Sequence, residues 1–213
     1  MCRSPWRFTA VRIGMKQSSV KIAISGGIGS GKSTVADILR GSGYPVLSCD
    51  EIYSGLFERG FFTAALRREF GEGIITDGKP DRTKLSELVF GNPSNLKRLN
   101  EITHPAIMKE LLTRAESYKL CFCEVPLLFE NGFDRLFEGV IVVLRDRTAR
   151  INSVVERDGT TREKVLKRIN SQFNYDISGF AEYYVIHNNC TFEELKDSTE
   201  SVVKKIKENF KIG

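Results

Sequence analysis

Val20-Lys-Ile-Ala-Ile-Ser25 runs straight into Gly26-Gly-Ile-Gly-Ser-Gly31-Lys32-Ser33-Thr34. The first six residues are short-chain and β-branched, which predicts a buried strand ending in a tight, glycine-rich turn. Beyond the turn, Val35, Ile38 and Leu39 recur at helical spacing until Gly41-Ser-Gly43 stops the pattern. Residues 26–33 match G-x-x-x-x-G-K-[ST] in full, in the strand-turn-helix setting that motif requires. Glycines let successive backbone N–H groups converge on phosphate oxygens, and the positive end of the helix dipole adds to the attraction. Gly27, Ile28, Gly29, Ser30, Gly31, Lys32, Ser33 and Thr34 are therefore the expected nucleotide-binding set. Lys32 should reach the β- and γ-phosphates, and the Ser33 hydroxyl should ligate Mg²⁺. The bland alternative is a glycine turn that binds nothing, and the complete motif with its flanks argues against it.

Outward from this loop, residues 45–48 read as a second strand that delivers Cys49 and Asp50 to its carboxyl end. Residues 51–119 show helical periodicity broken at glycines and at Asn92-Pro93, with no convincing strand. Strands return at Leu120 to Val125, in the continuous apolar run Gly139 to Leu144, and at Tyr183 to His187. A basic helix follows Arg145, and capping-box spacing at Thr160/Glu163 and Thr191/Glu194 predicts two further helix starts. Five strands alternating with helices predict a three-layer α/β/α fold with a five-stranded parallel sheet. The expected single domain spans 20–213. Its core is 20–50, 120–146 and 174–213, its helical substrate lobe 51–119 and its lid 147–173.

The 213 residues, 41% hydrophobic and 28% charged, are those of an ordinary globular chain. No apolar run approaches the roughly 18 residues that a membrane helix needs. Net charge is +5, but removing Arg3, Arg7 and Arg12 of the amino-terminal stretch leaves +2, so bulk charge does not argue for nucleic acid. Residues 1–19 read as an extension, a targeting piece or the product of an upstream start. Five cysteines, odd in number and without Cys-x-x-Cys spacing, suit a reducing compartment, and the expected location is the cytoplasm. Cys121 and Cys123 share one face of a strand as small buried hydrophobes.

Further residues carry a family resemblance over about 20–210. They are the loop at 26–34, Asp50, Asp81-Arg82, Asn100 with His104-Pro105, Val125-Pro-Leu-Leu-Phe-Glu130, Arg157-Asp158, Arg168 with Gln172, and Val185-Ile-His-Asn188. In this order and spacing they resemble the dephospho-CoA kinases. The resemblance implies a P-loop NTPase fold with core, substrate lobe and mobile lid, and transfer of the ATP γ-phosphoryl to the ribose 3′-hydroxyl of dephospho-CoA with Mg²⁺. The partners it implies are these two small molecules, with no nucleic acid, membrane or obligate protein partner.

Asp50, at a strand end beside the loop, is the expected general base or orienter of the attacking hydroxyl, and Asp is also a preferred helix N-cap. Arg157, with Arg147, Arg150 and Arg168, would close on the phosphates from the lid, against the alternative of a solvated basic helix face. By resemblance alone, Arg82 and His104 belong to the substrate lobe and Asn188 contacts adenine; His104 also suits a buried, hydrogen-bonded core histidine. Glu124 holds a Mg²⁺-bound water or only pairs with a nearby base. Ser48, Ser153 and His187 depart from the family pattern, which touches the lid contacts and the metal's outer shell but not the loop. Two rival readings share the loop. One is a P-loop kinase for another small alcohol or nucleotide; the other is a GTP-binding switch, against which stands the absence of an Asn-Lys-x-Asp sequence.

Overall fold

β1 (Val20–Ser25) forms where the sequence predicts it and sits at the centre of the sheet. The fold is that of a computed structural model, which describes residues 19–177 and 179–212. The expected amino-terminal extension lies outside the described residues up to position 18, whereas the Ser19 hydroxyl already donates to the Ala115 carbonyl at 2.8 Å.

From β1 the chain turns into α1 (Lys32–Gly41), then β2 (Val46–Ser48) and α2 (Cys49–Leu56). The insertion follows, with α3 (Gly60–Phe70), β3 (Ile75–Thr76), β4 (Lys79–Pro80), α4 (Arg82–Val89) and α5 (Pro93–Ala115). β5 (Leu120–Glu124) and β6 (Gly139–Leu144) return to the core, α6 (Arg147–Asp158) and α7 (Arg162–Asn170) occupy the segment expected to be the lid, and β7 (Tyr184–His187) and α8 (Phe192–Asn209) follow.

The main sheet is parallel, in the order β2-β5-β1-β6-β7. Its strands alternate faces with period two, and each face meets a different helical layer. Ile22, Ile24, Ile141 and Val143 pack under α1 and α8 with Val35, Leu39, Val203 and Ile206. Ala23, Cys121, Cys123, Val140 and Val142 face the other way, against Ile52, Met108 and Leu111. Burial on both faces explains why these strands read as unbroken apolar runs. The described cysteines are free, and Cys121 and Cys123 are buried in this second layer as expected.

Two satellite cores lie outside the sheet. Leu56, Phe57, Phe62, Leu66, Ile74, Leu85 and Leu99 knit the insertion together. Ile151, Val154, Val165 and Ile169 join α6 to α7, and Ile28 of the glycine loop inserts into this cluster.

Two local expectations are corrected. The insertion holds a hairpin, β3 against β4, turned by Asp77 and Gly78, both with positive φ. Asp-Gly favours the two-residue turn that matches strand twist, a signal stronger than the shortness of the strands. The cap of α7 is Thr161, not Thr160: its hydroxyl accepts from Lys164 N–H, and the third helical residue is then a lysine that cannot complete a capping box. At α8 the Thr191/Glu194 box forms in full.

Candidate functional site

Strand order reverses at β1, which has β5 on one side and β6 on the other, so a crevice opens at the carboxyl ends of these strands. The register aligns the groups that meet there. Ser48 of β2 and Ile24 of β1 both pair with Glu124, so these three strand ends lie in one row. The glycine loop begins two residues past Ile24, and Asp50 lies two residues past Ser48.

The loop turns onto α1 through Gly31, whose φ of 94° favours glycine. A Cβ there would also lie 2.1 Å from the Asn188 side-chain nitrogen, which donates to the Ser30 carbonyl at 2.8 Å. Asn188, expected at adenine, braces the loop with one amide hydrogen. Its neighbours His187 and Asn189 line a pocket of about 490 Å³, with Arg145, Arg147, Tyr175 and Asp176.

Lys32 Nζ donates to the carbonyls of Gly26 at 2.7 Å and Gly27 at 3.1 Å. Burial pushes its pKa down to about 8, while the Glu124 carboxylate pulls the other way and Arg150 adds to the depression. The lysine is held over the loop with part of its hydration removed, a state that an anionic ligand would relieve.

The Ser33 hydroxyl donates to Glu124 Oε1 at 2.7 Å. The two groups expected around magnesium therefore meet, joined across β1 and β5 by the sheet register. Asp50 is exposed at the second position of α2, and its helix is capped by Ser48, whose hydroxyl accepts from the Asp50 N–H. The N-cap alternative for Asp50 is overturned: the residue that departs from the family pattern, Ser48, does the capping. No hydrogen bond to the Asp50 carboxylate occurs among the described residues.

In the lid, Arg157 Nε donates to its neighbour Asp158 at 2.7 Å, and Arg168 donates to the same carboxylate at 3.0 Å. Both arginines hold the Asp158 carboxyl below its usual range. Arg157 leaves 64% of its side chain exposed, so it is paired on the lid surface rather than bound to the loop. Arg147 lies on the lid with its guanidinium on Asn170.

Arg150 is different, and the alternative of a solvated basic face fails for it. It is 3% exposed, its Nε donates to the Ile28 carbonyl at 3.0 Å, and its Nη1 pairs with Asp176 at 3.1 Å. The signal lay in helical spacing: Arg150 and the buried Val154 are four residues apart and share the face of α6 turned to the loop. Arg145 also reaches the loop, donating to Ser153 Oγ at 2.9 Å and approaching the Gly29 carbonyl at 3.5 Å.

The insertion places Arg82 with Nη2 on the Ser54 carbonyl at 3.0 Å and its guanidinium 4.3 Å above the Phe57 ring. His104 is half-buried, with Nδ1 3.1 Å from Asn131 Oδ1. The Asn131 amide nitrogen donates to the Leu127 carbonyl at 2.8 Å, so its oxygen is left to accept from His104 Nδ1–H. Burial holds His104 below its ordinary pKa, opposed by the Asn131 bond. His104 thus has the hydrogen-bonded character of a core histidine while bridging the insertion to the segment after β5.

The dephospho-CoA kinase family model matches residues 20–194 of the chain. A dephospho-CoA kinase of Thermus thermophilus is 36% identical over 188 residues, covering 87% of this chain and 91% of that protein. A solved structure from the same organism aligns with a TM-score of 0.73 at 34% identity, covering 88% of this chain and 97% of that one. A dephospho-CoA kinase from Campylobacter jejuni aligns with a TM-score of 0.65 at 25% identity, covering 89% and 98%.

Proposed function

The chain belongs to the dephospho-CoA kinase family, and from that membership we infer how its loop, lid and insertion carry out the ATP-dependent phosphorylation of dephospho-CoA to CoA. The observation that carries the mechanism is the Ser33–Glu124 contact at a row of strand ends from which the loop bearing Lys32 and the helix bearing Asp50 both depart.

The triphosphate of ATP lies along the loop amides and the amino end of α1. Lys32 exchanges the Gly26 and Gly27 carbonyls for β- and γ-phosphate oxygens, which supply the compensating charge that its buried ammonium lacks. The adenine takes the pocket lined by Tyr175, His187 and Asn189, at the carboxyl ends of β6 and β7.

The residues present fit magnesium. A serine hydroxyl and a carboxylate 2.7 Å apart are hard oxygen donors, and Mg²⁺ on a nucleotide takes only one or two protein groups besides phosphate and water. Ser33 would ligate directly and Glu124 through water. When bound, the ion neutralises charge on the β- and γ-phosphates and fixes their geometry.

The acceptor is the ribose 3′-hydroxyl of dephospho-CoA, approaching from the insertion. Asp50 accepts its hydrogen bond and aims the oxygen at the γ-phosphorus, taking the proton as the new P–O bond forms and the bond from the γ-phosphorus to the β-phosphate oxygen breaks, with ADP as the leaving group. An exposed carboxylate that accepts no hydrogen bond among the described residues can make that contact. Arg82 and His104 contribute the substrate-lobe side of the crevice, and Arg157 turns from Asp158 to the phosphates on closure. The enzyme is read as soluble and cytoplasmic; among the described residues no helix is long and apolar enough to cross a membrane.

The test is direct. Purified protein with MgATP and dephospho-CoA should yield a product heavier by one phosphoryl group, with the phosphate on the 3′ position. Turnover of another small alcohol or nucleotide in preference to dephospho-CoA would reject the assignment.

A further inference from the structure

Every group of one residue in the phosphate loop is engaged by the lid. The Ile28 N–H donates to Gln172 Oε1 at 2.9 Å, and the Ile28 carbonyl accepts from Arg150 Nε at 3.0 Å. The Ile28 side chain is buried among Ile151, Val154, Val165 and Ile169. The neighbouring glycines show how close this approach is. A Cβ on Gly27 would lie 2.3 Å from Arg150 Nη2, and one on Gly29 would lie 2.6 Å from the Arg150 carbonyl and 2.9 Å from Val154 Cγ2. Glycine at these positions thus admits helix α6 to the back of the loop, in addition to any approach by phosphate on the front.

The two clamping side chains are themselves held. Arg150 is anchored at its far end by Asp176. Gln172 precedes Phe173, whose N–H donates to Glu130 at 2.7 Å and whose ring packs on Phe129 at 5.0 Å between centroids. Tyr175, just before Asp176, stacks on Phe180 and shares a hydrogen bond with Ser25 Oγ at 3.1 Å. The segment 172–176 is therefore seated on the sheet, and through it both backbone groups of Ile28 are referred to the core.

We propose that Arg150 and Gln172 are positioning residues that clamp Ile28 through its N–H and its carbonyl and hold the phosphate loop in its binding shape before nucleotide arrives. A loop whose amide dipoles converge on one point is self-repelling without its anion, so its shape needs support from behind. The arginine provides it by satisfying the Ile28 carbonyl, and the glutamine by accepting from the Ile28 N–H. A mechanical consequence follows. The face of α6 and α7 that carries Arg150, Val154, Val165 and Ile169 is docked to the loop, and closure belongs to the turn at the far end of α6, which carries Arg157 and Asp158.

The inference rests on the loop being the ATP site, so the first arm of the test is run without nucleotide. In the free wild-type enzyme, hydrogen exchange read by NMR should show the Ile28 amide protected by about a hundredfold or more over unstructured chain. Exchange of Ile28 at the unstructured rate would overturn the clamp whatever the substrate. In the second arm, Gln172→Met and Arg150→Lys are compared with Arg150→Ala in steady-state kinetics. Arg150→Ala and Gln172→Met should each raise KM for ATP by about tenfold, the size of one charged or buried hydrogen bond, with KM for dephospho-CoA unchanged. Arg150→Lys should recover part of the loss. The Arg150→Ala/Gln172→Met pair should lose less than the product of the single effects, because both act on one residue, through its two flanking peptide groups. Equal rises in both KM values, multiplicative losses, or unaltered KM for ATP in folded variants would each refute the proposal.

Discussion

Raising the pH from 7 to 9 should weaken ATP binding by about tenfold, through one proton on Lys32. Burial places the free-enzyme pKa of this lysine at about 8, below the ordinary lysine value. At pH 7 roughly nine-tenths of the enzyme carries the ammonium, and at pH 9 roughly one-tenth does, by the titration relation. In the complex, the triphosphate raises the pKa again, so the bound lysine stays charged across this range. The sign is then fixed: binding takes up a proton above pH 7, and affinity falls as pH rises through the free-enzyme value. A tenfold change is about 1.4 kcal/mol of linkage. Titration calorimetry with MgADP or a non-hydrolysable MgATP analogue, in two buffers of different ionisation enthalpy, reads both quantities. Proton uptake near pH 8 should be about one half per nucleotide. Lys32→Arg keeps a charge that does not titrate here and should flatten the profile. A flat wild-type profile with no proton uptake would refute the argument that a buried, partly desolvated ammonium meets the phosphates.

Asp50→Asn should lower kcat for dephospho-CoA while leaving stability within about 0.5 kcal/mol, since the carboxylate is exposed and Ser48 carries the cap; denaturation and initial rates separate the two effects. Glu124→Ala removes the partner of Ser33 and should raise the magnesium concentration for half-maximal rate, measured at fixed ATP, more than it changes KM for dephospho-CoA. Lys32→Ala should abolish phosphoryl transfer with the far-ultraviolet circular dichroism unchanged. Thr191→Ala breaks the capping box of α8 and should destabilise the protein by about 1 kcal/mol in urea unfolding, with kinetics intact.

The insertion shows where one-dimensional reading weakens. Its helices were visible as periodicity, but Ile75-Thr76 and Lys79-Pro80 are too short to show alternation, and only Asp77-Gly78 marked the hairpin. At Thr160-Thr161 two adjacent candidates compete for one cap, and the choice depends on where the preceding helix releases the chain at Gly159. Asp50 was ambiguous between base and cap for a related reason, because Ser48 and Asp50 can both cap and the strand end selects between them. The lid arginines were alike in sequence, yet Arg150 is buried against Ile28 while Arg157 lies on the surface with Asp158.

The order of strands and helices, the phosphate loop with Lys32 and Ser33, and the family itself follow from the sequence, because each depends on residues close together in the chain or on local periodicity. What belongs to the tertiary structure is every pairing across the sheet and the lid. Ser33 meets Glu124 from 91 residues away, Asn188 braces Ser30, and Arg150 and Gln172 grip Ile28 from opposite sides. Such pairings are set by strand order and helix docking, in which burial of apolar faces decides which polar groups are brought within hydrogen-bonding reach.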